Sequence, residues 1–214
     1  LFVVVVEPLY SSGAEGARVA VFEATSALTT TGFASATYDE WAGFGVFLMI
    51  VLMCIGGGAG STSGGIKQYR VYLLVRSLVW KIRRAFLPPT TAFERFIWRG
   101  EHKDFVDERR LRGIADYFAL YVSALILGTL LIAASGFTIR ESLFECASML
   151  GTVGLSMGVT SASAPSLVLW TGIVGMFLGR LEFYVVIIGL TELVIDIGKM
   201  VARRRRPRPQ QPTE

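Results

Sequence analysis

The chain has 214 residues, of which 52% are hydrophobic and 18% charged, with a formal net charge of +4. That balance is the composition of a membrane protein and argues against an ordinary soluble domain. Two cysteines, Cys54 and Cys146, and the single His102 cannot build a Cys/His metal site, and both thiols lie in apolar sequence where a structural disulfide is not expected.

Residues 1–6, Leu-Phe-Val-Val-Val-Val, read as the end of a transmembrane helix. They lack the basic start and cleavage site of a signal peptide, so we expect further sequence upstream. Residues 18–30 form a helix-length stretch too short to span, which predicts a re-entrant helix. Trp41 to Gly57 is an apolar run of about one membrane thickness. A glycine-rich break, Gly56 to Lys67, then interrupts what would otherwise be one helix from Trp41 to Phe86. Pro88-Pro89 ends that helix, and residues 87–113 form a mixed-charge linker. Ile114 to Ala134 is a second span, with Asp116 at its interfacial start. Residues 140–150 are a second stretch too short to span, and Ser166 to Ile195 is a third, longer span containing Arg180. The tail 201–214 is basic and predicted to be disordered, and its Arg203–Arg206 run could touch anionic lipid.

The basic residues set the orientation. The 66–112 stretch and residues 199–214 hold 18 of the 21 Lys and Arg. By the positive-inside rule both are cytoplasmic, with an excursion across the membrane and back between them. Orientation accounts for the positive charge, so no nucleic-acid partner is expected.

The short helices belong to a repeat. Arg18 to Ala34 recurs, 122 residues later, as Arg140 to Ser156, with seven of seventeen positions identical; about one would match by chance. Both copies end in Thr-x-Gly-hydrophobic: Thr30-Thr31-Gly32-Phe33 and Thr152-Val153-Gly154-Leu155. A dehydrated monovalent cation needs several oxygen ligands of partial charge, and rows of backbone carbonyls supply them without the tight hold of carboxylates. Aligning carbonyls demands backbone angles that glycine provides, and each short helix aims its partly negative C-terminal end at the ion. One Thr-x-Gly alone is a glycine turn. Two copies, each between a short helix and a span, predict an ion filter. Glu23 and Glu145, also repeated, either brace the loops or face an aqueous vestibule.

Irregular backbone at membrane depth survives only when buried in protein or lining water. The break, with Gly56, Gly57, Gly58, Gly60, Ser61, Thr62, Gly64, Gly65 and Lys67, is therefore expected to be a gating loop below the filter. Close helix packing through small residues is the alternative. A phosphate-binding loop is disfavoured, because Ile66 stands where such a loop needs lysine. A mid-span arginine is costly and normally faces water or a partner. Arg180 is thus expected to be a pore-facing charge, with a helix-bracing ion pair as the alternative; Glu182, two residues on, points to a different face.

Thr29–Phe33, Gly56–Lys67, Gly151–Leu155 and Met176–Glu182 together resemble the Trk/Ktr/HKT superfamily of potassium transporters, over essentially the whole chain except the tail. The resemblance implies an all-α membrane protein of tandem helix–pore loop–helix repeats around a pseudo-fourfold pore, of which this chain holds the third and fourth. Residues 1–86 would be the third repeat, 87–113 the cytoplasmic linker, 114–200 the fourth and 201–214 the tail. It implies potassium uptake at the cell membrane with no cofactor and no enzymatic activity. It also implies a homodimer bound to cytoplasmic nucleotide-binding (RCK/KTN) regulatory subunits, with the first two repeats of the same protein and membrane lipid as further partners. Sodium or mixed transport within the family, a tandem-pore potassium channel and a non-transporting membrane scaffold are the rival readings.

Overall fold

A computed structural model describes residues 13–88, 95–99, 101–181 and 183–204. The expected helix end at residues 1–6, Glu182 and the tail from 205 lie outside the described residues. The elements in order are α1 (Gly13–Leu28), α2 (Gly43–Ile55), α3 (Gln68–Ala85), β1 (Phe96–Arg99), β2 (His102–Phe105), α4 (Glu108–Ala133), α5 (Ile139–Gly151), α6 (Ser166–Leu181) and α7 (Phe183–Arg204).

Helix α5 is the centre of the molecule. It packs against α2, α4 and α6, while α1 packs against α2. One core joins the two repeats, through Val46, Met49 and Met53 of α2 and Phe144 and Ala147 of α5. A second gathers Tyr117, Tyr121 and Ile132 of α4, Cys146 and Leu150 of α5, and Val168 of α6. Helix α6 turns Gly172, Gly175 and Gly179 inward, all buried. A Cβ on Gly179 would collide with the Leu150 carbonyl, so the bare backbone is what lets α6 close on α5.

Among the described residues, only α4 is long and apolar enough to cross a membrane. It begins at Glu108, earlier than the apolar run, where Asp107 caps it by accepting from the Glu108 N–H at 2.7 Å. Helix α2 is shorter than the Trp41–Gly57 run. Its 13 residues span about 20 Å at ~1.5 Å per residue. Gly56, at φ 69°, ends it in a conformation other residues avoid. The Ser166–Ile195 run falls on two described helices, α6 and α7.

The chain is mostly helical, as expected, and the linker adds one two-stranded hairpin. Phe96-Ile97-Trp98-Arg99 pairs antiparallel with His102–Phe105, Phe96 opposite Phe105 and Trp98 opposite Lys103. Aromatic and β-branched residues favour a pleated, half-buried surface. Ile97 is buried in a cluster with Leu73, Trp80, Val106 and Ile114, while Trp98 and Phe105 face outward. Arg110 fastens the hairpin by donating to Asp104 at 3.2 Å and to the Tyr69 hydroxyl at 2.7 Å.

The start of α5 carries a full capping box. The Thr138 hydroxyl accepts from the Glu141 N–H, and the Thr138 N–H donates back to the Glu141 carboxyl at 2.9 Å. Hydrogen bonds from the Thr138 hydroxyl and amide hold the Glu141 carboxyl below its ordinary range. Their contribution is therefore present above the ordinary glutamate pKa and is lost as pH falls through the lowered value. Thr138→Ala should lower stability by about 1 kcal/mol, seen as an earlier midpoint in detergent-solubilised thermal unfolding; an unmoved midpoint would show that the box is idle.

Candidate functional site

The loops after α1 and α5 repeat their geometry as well as their sequence. Thr30 and Thr152 are left-handed, at φ 56° and 52°, and Gly32 and Gly154 have φ of 80° and 99°. The residues between them have negative φ. Alternation of sign can turn consecutive peptide planes so that their carbonyls face one side, where a uniform strand would alternate them.

Each loop is fastened to its helix at equivalent atoms. The Thr31 N–H donates to the Ser26 carbonyl at 2.9 Å, and the Val153 N–H to the Ser148 carbonyl at 2.9 Å. These bonds satisfy carbonyls that a helix end leaves open. The Ser26 hydroxyl donates to the Phe33 carbonyl at 2.6 Å, while the Ser148 hydroxyl accepts from the Gly154 N–H at 3.1 Å.

Glu23 and Glu145 are buried, 0% and 2% exposed, which removes the vestibule alternative. Glu23 accepts from the Ser35 N–H and hydroxyl at 2.6 and 2.9 Å, and from the Tyr38 hydroxyl. Glu145 accepts from the Met157 and Val159 N–H groups at 2.9 and 3.3 Å and from the Ser156 and Thr160 hydroxyls. Ser35 and Met157 are equivalent positions in the repeat, as are Tyr38 and Thr160. Each carboxyl thus ties the strand leaving its loop back to the middle of the short helix. Tyr38 and Thr160 could have been found in the sequence, because a hydroxyl sits fifteen residues after the glutamate in both copies.

The loops meet at their glycines. A Cβ on Gly32 would collide with the Val153 carbonyl oxygen, and one on Gly154 would lie 4.0 Å from the Gly32 Cα. The equivalence stops at the next residue. Phe33 is 70% exposed, whereas Leu155 is buried in the core shared by the two repeats.

Below the loops lies a cavity of about 500 Å³, lined by Thr29, Thr30, Thr152, Gly57, Gly58, Ser61, Thr62, Ser63 and Arg180. Among the described residues, no carboxylate lines it. The glycine-rich segment forms its floor and is closed on itself. Ile66 N–H donates to the Cys54 carbonyl at 2.9 Å, Lys67 to Ile55 at 2.8 Å and Gln68 to Gly57 at 3.1 Å. Gly56, Gly57, Gly64 and Gly65 have no room for a side chain; Gly64 presses on the Gly151 carbonyl and the Thr152 hydroxyl. Gly58 and Gly60 have open space around them, and Gly60 has φ 83°.

A second cavity of about 300 Å³ lies beyond, lined by Ser61, Thr62, Ser63, Gly65, Lys67, Tyr117, Gly179, Arg180 and Leu181. Arg180 lines both cavities and donates to the Thr62 carbonyl between them. Its described partner is thus the glycine-rich loop. Of the sequence-expected residues, Thr30, Thr152, the break and Arg180 are brought to these cavities and Gly32 meets Gly154, whereas Phe33 is exposed and Val153 and Leu155 lie in the core. The thiols Cys54 and Cys146 are free, and no cluster of metal-ligating side chains occurs among the described residues.

Comparison with known proteins follows the same lines. The family model described as TrkH, cation transport protein, matches residues 8–194. An uncharacterized cation transporter of Methanocaldococcus jannaschii is 32% identical over 170 residues, covering 78% of this chain and 35% of that protein. The Trk system potassium uptake protein TrkH of Halomonas elongata is 31% identical over 180 residues, covering 83% and 36%. The crystal structure of the potassium transporter TrkH from Vibrio parahaemolyticus superposes with a TM-score of 0.74 at 24% identity, over 88% of this chain and 40% of that one. The chain therefore spans a little over a third of the length of these curated relatives.

Proposed function

Since this chain belongs to the TrkH family of cation transport proteins, we propose that it forms part of a membrane pore for potassium uptake. Oxygens of Thr30–Phe33 and Thr152–Leu155 replace the hydration shell of the passing ion. The observation that carries this reading is the pairing of two loops, alike in φ pattern and in carboxyl bracing, directly above a polar cavity with no carboxylate among its described lining residues. A fixed carboxylate there would hold a cation too long, whereas hydroxyls and carbonyls let it leave.

In this reading the segment 56–67 is the gate and Arg180 its latch. The guanidinium holds the loop through the Thr62 carbonyl and adds a positive charge where the ion must exit. The pore is completed by repeats carried on the remainder of the protein. The homodimer and the cytoplasmic nucleotide-binding subunits belong to the same proposal.

The test is rescue of growth at limiting potassium in cells lacking their own uptake systems, using the full-length gene, with rubidium influx and sodium competition as quantitative measures. No rescue by a protein that reaches the membrane would defeat the assignment. Arg180→Ala removes latch and charge together, so rubidium influx should rise severalfold. Wild-type influx in that variant would take Arg180 out of the conduction path.

A further inference from the structure

We propose that the outward face of α3 lies in the headgroup layer of the cytoplasmic leaflet and binds anionic phospholipid there. The helix has two unlike faces. Leu73 and Trp80 are buried against Ile97 of the hairpin, Val106 and Ile114. On the other side Tyr72, Val75, Leu78 and Ile82, with Phe86 just past the helix end, recur at helical spacing and are 47% to 86% exposed. At about 3.6 residues per turn, Lys81 falls at one edge of this stripe and Arg83 at the other.

The charge says what covers the stripe. The 18 residues of α3 include Arg70, Arg76, Lys81, Arg83 and Arg84 and no acidic residue. Arg70 stacks on the Tyr117 ring at 4.2 Å, and Arg76 lies 5.6 Å from the Trp80 ring. Lys81, Arg83 and Arg84 are exposed and make no hydrogen bond or ion pair among the described residues. So many cations cannot lie across hydrocarbon, and α3 is not a helix apolar enough to cross a membrane. Water alone gives no reason for the stripe. A protein cover would bury the cations at its edges and would have to supply carboxylates to meet them. The headgroup layer meets both demands at once. Acyl carbons take the stripe, while the long basic side chains reach outward to phosphate. The cytoplasmic side, which the distribution of basic residues assigns to α3, is also the side whose anionic lipids attract them.

The surface is tied to the glycine-rich segment. The Lys67 and Gln68 N–H groups, at the start of α3, donate to the Ile55 and Gly57 carbonyls at 2.8 and 3.1 Å. Lipid held along α3 therefore fixes the depth at which the 56–67 segment sits. Only the effect on a gate rests on the pore reading above; the binding surface stands without it.

The experiment places the photo-crosslinking residue p-benzoylphenylalanine at position 82 of the full-length protein, with position 75 as a second probe of the same stripe. The protein is kept in host membranes of phosphatidylethanolamine, phosphatidylglycerol and cardiolipin, and adducts are identified by mass. The expected adduct is phospholipid, with the two anionic classes enriched about fivefold over their share of the bulk lipid, the scale of one basic residue at an anionic surface. Lys81→Gln with Arg83→Gln should return the ratio to the bulk value, while Lys81→Arg with Arg83→Lys should keep the enrichment. Lipid adducts at the bulk ratio would make the face merely apolar. An adduct with another segment of the polypeptide, a second copy or another protein would assign it elsewhere, and no adduct at either position would leave it in water. Each of these overturns the proposal, as does enrichment that survives the glutamine pair. The adduct needs no transport to be read, so a protein that carries no potassium can still give it, and one that carries potassium can fail to.

Discussion

Gly32→Ala should abolish rubidium influx by the full-length protein, while Gly154→Ala should leave a measurable fraction. The two positions look interchangeable in the sequence, and both sit at positive φ. That conformation costs a non-glycine residue about 1–3 kcal/mol, enough alone to lower the population of the native loop by roughly five- to 150-fold. Gly32 carries a second penalty that Gly154 does not. Its methyl would occupy the place of the Val153 carbonyl oxygen, a backbone atom that cannot rotate away like a side chain. The Gly154 methyl would meet nothing closer than the Gly32 Cα at 4.0 Å. The first substitution must therefore displace the opposite loop as well as its own. Equal influx in the two variants would show that the loops are not pressed together in the membrane.

The other large effect belongs to Glu145. Glu145→Ala should destroy both uptake and thermal stability, and Glu145→Gln should keep a reduced share of each. The buried carboxyl receives two backbone N–H groups, from Met157 and Val159, and two hydroxyls, from Ser156 and Thr160. Alanine leaves the two amides without acceptors, at about 1–3 kcal/mol each, and frees the strand that leaves the second loop. Glutamine can keep its carbonyl oxygen toward the amides and set its NH2 toward the Thr160 hydroxyl, which can turn and accept. Comparison of the two variants by rubidium influx and detergent thermal unfolding decides the matter. An alanine variant as stable as the parent would remove the bracing role.

What the sequence disclosed followed from local rules. The helices ending at Leu28 and Gly151, the positive-φ glycines and the break after Ile55 each announce themselves through hydrophobic pattern and glycine placement. The hairpin did not, because its four-residue strands sit among charges and are stabilised by Leu73 and Trp80 from a distant helix. The glutamates stayed ambiguous for a related reason. Their partners come within reach only after the chain has turned through Thr30 and Gly32, or Thr152 and Gly154, which no helical or strand period anticipates. Arg140 lies in the first turn of α5, and its bond to Tyr38 crosses 102 residues. Contacts between repeats come from tertiary packing, and a single sequence carries no periodic trace of them.

The self-closed form of the 56–67 segment separates two design variables. The bonds from Ile66 to Cys54 and from Lys67 to Ile55 fix the ends of α2 and α3 whatever lies between them. The bulge from Gly58 to Ser63 is therefore a replaceable insert on a rigid frame. Closing a loop of twice the length costs only about 0.6 kcal/mol, so the bulge beneath the two loops can be lengthened, trimmed or stiffened with little effect on how the helices assemble.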